Sequence, residues 1–165
     1  MRRKLNFAVI TAVVATCLVA GGAIATSGSG VLVSQVLARS GFIDNVDLKV
    51  RVQTEGATQV ANVHSGDVVV ARTVIGPGGT SGWHSHPGPA IVTIASGTFT
   101  LYDGDDPTCT GHPYTAGQAF VDIGSGHVHM GRNLSATDNV ELFVTYLGVP
   151  PGTSPRIDAP DPGNC

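Results

Sequence analysis

Short runs of alternating apolar and polar residues recur along most of the chain. In the clearest run, residues 46–52, apolar side chains occupy every second position. This pattern is typical of a strand with one buried face. The other predicted strands are 67–75, 82–86, 90–95, 98–102, 118–122, 127–132 and 140–147. About eight short strands at close spacing predict an all-β sandwich or barrel.

The segments around these strands complete the predicted domain organisation. The barrel domain is assigned to residues 45–148, and residues 149–165 form a tail rich in Pro and Gly. Residues 26–44 are assigned as a linker, with a short helix over part of this segment as the alternative. Within the barrel, Ser96-Gly97 separates two strands and predicts a two-residue hairpin turn.

The N-terminal residues 1–25 have the layout of a secretory signal. Arg2-Arg3-Lys4 precedes a mostly apolar run, 7–25, which ends in the small-x-small pattern of Ala23-Ile24-Ala25. Cleavage before Thr26 would give a secreted or extracytoplasmic protein. The alternative is an uncleaved membrane anchor, because this apolar run is close to the length that spans a bilayer.

Composition and charge indicate which classes of partner the chain from Thr26 onward is expected to bind. Only 13% of the residues are charged, against about a quarter in an ordinary soluble protein, and the chain has 22 Gly and 10 Pro. From Thr26 onward, six basic residues stand against twelve acidic ones. A basic surface for nucleic acid is therefore not expected. No membrane contact is expected either, unless the N-terminal segment is retained.

Export also changes how the three cysteines are interpreted. Cleavage of the signal would remove Cys17 and leave Cys109 and Cys165. An even pair of cysteines in an oxidising compartment predicts a disulfide. It would tie the C-terminal tail to the loop at 105–112. The alternative is two free thiols.

The histidines form two pairs with the same spacing. His84 and His86 are separated by one residue, and so are His127 and His129. Residues i and i+2 of a strand lie on the same face, so two antiparallel strands can bring both pairs together inside a barrel. Imidazole is a ligand that suits Zn, Fe, Cu and Ni.

The spacing around these histidines resembles the two motifs of the cupin superfamily. Gly78, His84-Ser85-His86, Ala90 and Gly97 follow the spacing of the first motif, with Ala90 in place of the usual Glu. The residues that follow the second motif are Gly124, Gly126, His129 and Asn133, with Gly124 in place of the usual Pro. The resemblance implies a cupin-type double-stranded β-helix, a jelly-roll barrel, over about residues 45 to 148.

The resemblance also implies a metal centre. His84, His86 and His129 are expected to bind one divalent transition metal, Fe, Mn, Zn, Ni or Cu. His127 has no fixed family role and is expected beside these ligands or facing a substrate. Without a carboxylate at Ala90, three neutral imidazoles would leave the ion with a charge of +2 and an open position, which favours a small anionic ligand.

Two functions from different classes follow. The leading hypothesis is an exported metal-binding cupin that acts as a small-molecule oxygenase or a related enzyme, with its catalytic residues unassigned. The alternative is a metal-free extracytoplasmic barrel with a ligand-binding or structural role. Turnover and pairing into a homodimer are left open by the sequence.

Overall fold

The computed structural model describes residues 25–54 and 57–165. The predicted signal segment therefore lies outside the described residues, apart from Ala25. The described residues form no helix, and therefore contain no helix that is long and apolar enough to cross a membrane. They form twelve strands instead. The strands are β1 Ser29–Gly41, β2 Asp47–Thr54, β3 Ala57–His64, β4 Asp67–Thr80, β5 His84–Ser85, β6 Ala90–Ser96, β7 Thr98–Asp103, β8 His112–Thr115, β9 Ala119–Asp122, β10 His129–Asn133, β11 Val140–Val149 and β12 Ile157–Asp158.

Ten of these strands form one antiparallel sheet that curls into a nearly closed barrel. One half of the barrel has the order β1-β4-β11-β6-β9, and the other has the order β12-β5-β10-β7-β8. Thr80 at the end of β4 pairs with Arg132 of β10 and joins the two halves. β2 and β3 form a separate hairpin. The predicted all-β barrel is confirmed.

Residues 26–44 are not the linker or helix that the sequence predicts. Most of this segment is β1, which pairs with β4 from Ser29 opposite Thr80 to Gly41 opposite Asp67. The register shifts at three places along the pair. A bulge inserts an extra residue into one strand, so the faces of the strand exchange and the two-residue period is lost. The side chains of β1 are also exposed on both faces along almost the whole strand, so no buried face imposes a regular alternation on its sequence.

The predicted hairpin at Ser96-Gly97 is also wrong. β6 pairs with β9 and β11, whereas β7 pairs with β8 and β10, so the chain changes from one half of the barrel to the other at this turn. Gly97 has φ +75°, and a Cβ here would lie 2.5 Å from the carbonyl oxygen of Asn139. Only glycine fits this corner without strain. The turn residues Ser96 and Gly97 thus predict the position of the bend, but they do not predict whether the two strands beside it pair with each other.

The barrel core lies between the inward faces of β4, β6, β7 and β11. Its side chains are aliphatic or aromatic and almost fully buried, and each buried Val, Leu, Ile or Phe contributes about 1.5–3 kcal/mol relative to exposure. The cluster consists of Ile75, Ala90, Val92, Ile94, Phe99, Leu101, Val140, Leu142 and Val144.

Asn133 ties strand β10 to the neighbouring backbone. Its buried side-chain amide donates hydrogen bonds to the carbonyl oxygens of Ile75, Gly76 and Asp138 at 2.7–3.0 Å. Its side-chain oxygen accepts a hydrogen bond from the backbone N–H of Ser135. The second-motif asparagine therefore has a structural role, because its amide links β10 to three backbone carbonyl groups outside that strand.

The C-terminal tail packs along the barrel. Within it, β12 pairs with β5, and the backbone N–H of Ala159 donates to the carbonyl oxygen of Trp83. The tail ends in a disulfide between Cys109 and Cys165, the pairing that the cysteine count predicts. The tail continues from the last barrel strand, β11, and the disulfide attaches its other end, at Cys165, to the loop that contains Cys109.

Candidate metal centre

Three histidines converge inside the barrel. His129 on β10 lies directly opposite His84 on β5, and their ring centroids are 4.4 Å apart. His86 follows β5, with its ring centroid 4.9 Å from that of His84 and 5.1 Å from that of His129. One nitrogen of each ring lies within 4.8 Å of the others, and all three side chains are buried. The structure thus brings together the three residues that the sequence predicts as metal ligands.

Backbone carbonyl groups fix the orientation of two of these rings. The Nδ1 atom of His84 lies 2.8 Å from the carbonyl oxygen of Gly82, and Nδ1 of His86 lies 2.8 Å from that of Pro155. A carbonyl oxygen can only accept a hydrogen bond, so each Nδ1 carries the proton. The lone pair of a neutral ring is then on Nε2, which is the usual arrangement of a metal-binding histidine.

Burial keeps the three imidazoles neutral. It lowers the pKa of His84 to about 3, with the nearby charge of Arg156 and the ring of His86 adding to the effect. Burial is also the main cause of the lowered pKa values of His86 and His129. A metal binds only the neutral ring, so these three ligands need to lose no proton at neutral pH.

His127 lies beside this group but outside it. It precedes β10 rather than lying on it, and its ring stacks on that of His129 with centroids 5.8 Å apart. Its Nδ1 donates to Oδ1 of Asp122 at 2.9 Å, and its Nε2 lies 3.7 Å from Asp103 and 3.8 Å from Asp105. The hydrogen bond to Asp122 is the main reason why the pKa of His127 is raised. Three carboxylates therefore surround His127.

Asp122 is a site residue that the sequence analysis missed. Its carboxylate is buried, and together with His127 and His129 it forms a second group whose ligand atoms lie within 4.8 Å of one another. Asp122 lies at the end of β9 and belongs to neither cupin motif. Its position becomes informative only when the strand order is known, because β9 then lies beside β6, which carries Ala90.

The surroundings of Ala90 show what lies where the family has Glu. Ala90 is fully buried, and it pairs with Asp122 on one side and with Tyr146 on the other. The ring of Tyr146 packs against that of His86, with centroids 4.9 Å apart. Burial raises the pKa of Tyr146 to about 12, so its hydroxyl group keeps its proton at neutral pH.

Gly124, the other departure from the motifs, has a backbone explanation. Its φ is +65°, whereas the ring of proline holds φ near −65°. A Cβ at this position would lie 2.0 Å from the carbonyl oxygen of Gly88. The turn before His127 therefore requires glycine in this chain.

The histidine group faces a cavity of about 410 Å³. The walls are mostly apolar, and His84, His86 and His129 lie among polar groups that include Tyr146 and Arg156. Of the described residues, those that line this cavity do not include His127, which lies beside His129 and lines a second cavity instead. The guanidinium group of Arg156 donates to the carbonyl oxygen of Ser81 and to the carboxylate of Asp158, both at 2.7 Å.

The donor set fits a transition metal. Imidazole nitrogens suit the later first-row divalent ions, and three protein ligands with an open position are typical of catalytic metal sites. The two carbonyl groups that hold Nδ1 of His84 and His86 leave Nε2 free, as such a site requires.

Comparison with known proteins gives a family match for part of the chain. Residues 71–146 match the family model described as Cupin domain. No curated protein sequence matches the chain. Among solved structures, an oxalate oxidase is 27% identical with a TM-score of 0.41, over 47% of this chain and 40% of that one. This chain thus spans about two fifths of the oxalate oxidase.

Two further structures are similar to parts of the chain. The polyketide cyclase RemF from Streptomyces resistomycificus is 18% identical with a TM-score of 0.46, over 58% of this chain and 64% of that one. A cupin domain from Bordetella pertussis is 20% identical with a TM-score of 0.42, over 67% of this chain and 91% of that one. These similarities say nothing about the activity of this chain. The family match and the barrel together identify residues 71–146 as a cupin domain.

Proposed function

We propose that the protein is an exported metal-binding cupin that binds one divalent transition metal on the Nε2 atoms of His84, His86 and His129. The observation that carries this proposal is the convergence of three buried imidazoles within 4.8 Å of one another. Fe, Mn, Zn, Ni and Cu all suit such ligands. When bound, the ion would supply Lewis acidity and at least one open coordination position.

The ligand of this centre is proposed to be a small organic anion. Three neutral imidazoles leave the charge of the ion uncompensated, and the positive charge of Arg156 lies in the same cavity wall. The Tyr146 hydroxyl keeps its proton, so it can donate a hydrogen bond to a bound anion. The apolar walls would hold the rest of the molecule. A small-molecule oxygenase or a related enzyme is the activity that this chemistry supports best.

Metal analysis of the protein purified without an affinity tag tests the proposal. We expect about one equivalent of a transition metal after reconstitution, and about 2.7 kcal/mol of added stability at a free metal concentration of 100 times Kd. His86→Ala should lose most of the bound metal, because it removes one of three ligands. His112→Ala, which changes an exposed histidine on β8, is the matched control and should keep it.

The outcome also separates the leading function from its alternative. A wild-type protein that takes up less than about 0.1 equivalent of any of these metals, and gains no thermal stability from them, would instead be a metal-free barrel. The apolar cavity would then be its ligand-binding site. Equal metal contents in the wild type and His86→Ala would remove His86 from the centre.

Export rests on the N-terminal signal pattern and agrees with the disulfide between Cys109 and Cys165. Thr26, the first residue after the proposed cleavage point, is held on the barrel. Its backbone N–H donates to the carbonyl oxygen of Ala159, and its hydroxyl accepts from the N–H of Trp83. N-terminal sequencing of the protein recovered outside the cytoplasm should begin at Thr26. A sequence that begins at Met1 would favour the uncleaved anchor.

A further inference from the structure

We propose that Asp122 is a positioning residue of the metal centre, and that it supplies through His129 the negative charge that Ala90 lacks. This inference rests on the proposed function of the three-histidine group. It adds to that function a carboxylate that comes from a different strand and lies outside both cupin motifs.

The register of three neighbouring strands places Asp122 beside Ala90 and Tyr146 in one row across the sheet. Asp122 on β9 lies directly opposite Ala90 on β6, and Ala90 lies opposite Tyr146 on β11. Residues directly opposite each other in a sheet have their side chains on the same face. Both Asp122 and Ala90 are buried, at 5% and 0% exposure. The carboxylate therefore lies one strand away from the position where the family carries its Glu.

The distance to His129 assigns a role to this carboxylate. Oδ1 of Asp122 lies 3.6 Å from Nδ1 of His129. That Nδ1 atom is buried and has no hydrogen-bond partner in the described structure, whereas Nδ1 of His84 and of His86 each faces a carbonyl oxygen. A shift of roughly half an ångström would give a normal N–H···O hydrogen bond. Asp122 would then do for His129 what backbone carbonyl groups do for the other two rings.

Other contacts hold the carboxylate in place. The backbone N–H of Gly124 donates to Oδ2 at 3.2 Å, and Nδ1 of His127 donates to Oδ1 at 2.9 Å. Both of these contacts are with N–H donors, which is the arrangement that an accepting carboxylate requires. Each of its oxygens has two lone pairs, so Oδ1 can accept from both His127 and His129.

The consequence for the metal is electrostatic and geometric. A carboxylate on Nδ1 fixes the ring so that Nε2 binds the ion, and it increases the basicity of that nitrogen. Loss of such a partner typically weakens metal binding by about 10–100-fold. Asp122 faces the Nδ1 edge of His129, so it acts through this ring and not as a fourth ligand of the same ion.

The test compares two substitutions that remove the same charge. Asp122→Asn should bind Co²⁺ about 10–100-fold more weakly than the wild type, measured by titration against a competing chelator. The visible absorption bands of bound Co²⁺ should also shift, because a ligand ring changes its basicity. Asp105→Asn is the matched control: it removes an exposed carboxylate 3.8 Å from Nε2 of His127. Its Kd should change by less than about twofold, since Asp105 does not contact His129.

Three results would overturn the inference. Equal effects of Asp122→Asn and Asp105→Asn on Kd would show that only the overall charge matters. Unchanged Co²⁺ bands in Asp122→Asn would show that the carboxylate does not act on a ligand. The third result has two parts: His84→Ala still binds Co²⁺ fully, and adding Asp122→Asn to this variant abolishes the binding. It would show that the ion is bound by Asp122, His127 and His129 themselves.

A measurement on the unaltered protein covers the case in which Asp122→Asn does not fold. Long-range ¹H–¹⁵N NMR of the metal-free protein should show the proton of His129 on Nδ1, and a proton on Nε2 would contradict the proposal. The two proposals also fail in different ways. No Co²⁺ binding by the wild type would contradict the proposed function, whereas binding that Asp122→Asn leaves unchanged would contradict only the role of Asp122.

Discussion

Single residues decide how the candidate metal centre departs from the family pattern. Ala90 removes a carboxylate from the wall of the barrel, while Asp122 and Tyr146 lie on either side of it in the neighbouring strands. The spacing of the histidines predicted two pairs that could meet, and the resemblance to the cupin motifs selected His84, His86 and His129 from them. The sequence could not predict Asp122, because the pairing of β9 with β6 depends on the topology of the whole barrel and not on local spacing.

The buried histidines predict how the stability of the metal-free protein depends on pH. Between pH 6.5 and about 3, His84 stays neutral in the folded state but takes up a proton in the unfolded chain. The free energy of unfolding should therefore fall as the pH drops below about 6.5. His86 and His129 act in the same direction, because burial lowers their pKa values too. His127, with a raised pKa, opposes them.

Urea unfolding at several pH values measures this dependence. His84→Gln removes one group with a lowered pKa, so its free energy of unfolding should fall less steeply between pH 6.5 and about 4 than that of the wild type. If the free energy of unfolding of His84→Gln falls as steeply as that of the wild type, the protonation of His84 is not coupled to folding.

At the scale of elements, the C-terminal tail belongs to the site as much as the barrel does. The carbonyl oxygen of Pro155 holds Nδ1 of His86, and Arg156 lines the cavity. Beyond β12, the side chain of Asn164 donates to three carbonyl groups of the loop at 103–106, next to the disulfide. The sequence predicted the disulfide but not the contact with His86, because a backbone carbonyl leaves no residue-specific signal.

The disulfide should therefore affect both stability and metal binding. Cys165→Ser opens a bond between residues 56 positions apart and should lower the free energy of unfolding by about 2–5 kcal/mol. It should also weaken Co²⁺ binding by a few fold, since a looser tail holds His86 less firmly.

Thermal unfolding and Co²⁺ titration check both effects of the disulfide. Cys109→Ser should behave like Cys165→Ser, and the wild type treated with reductant should behave like both. A variant that loses stability but binds Co²⁺ as tightly as the wild type would show that the tail supports the barrel without holding the ligand.

At the scale of the whole molecule, much of the architecture follows from the sequence. The two-residue period of the strands and the spacing of the motifs predicted the all-β barrel and the convergence of its histidines. Two errors arise where local patterns carry little information. β1 is exposed on both faces and shows no alternation, and the corner at Gly97 looks like a hairpin although it joins strands in different halves of the barrel. Local spacing cannot show which distant strand becomes a partner.

The attachment of the tail has a consequence for how the ligand specificity of such a protein can change through substitutions. The segment 154–156 borders the cavity, yet it lies outside the hydrogen-bonded strands that enclose the core. Substitutions there can alter the shape and charge of one part of the cavity wall without changing a strand. The rest of the wall includes core residues such as Val92 and Leu142, so only this segment can diverge independently of the scaffold.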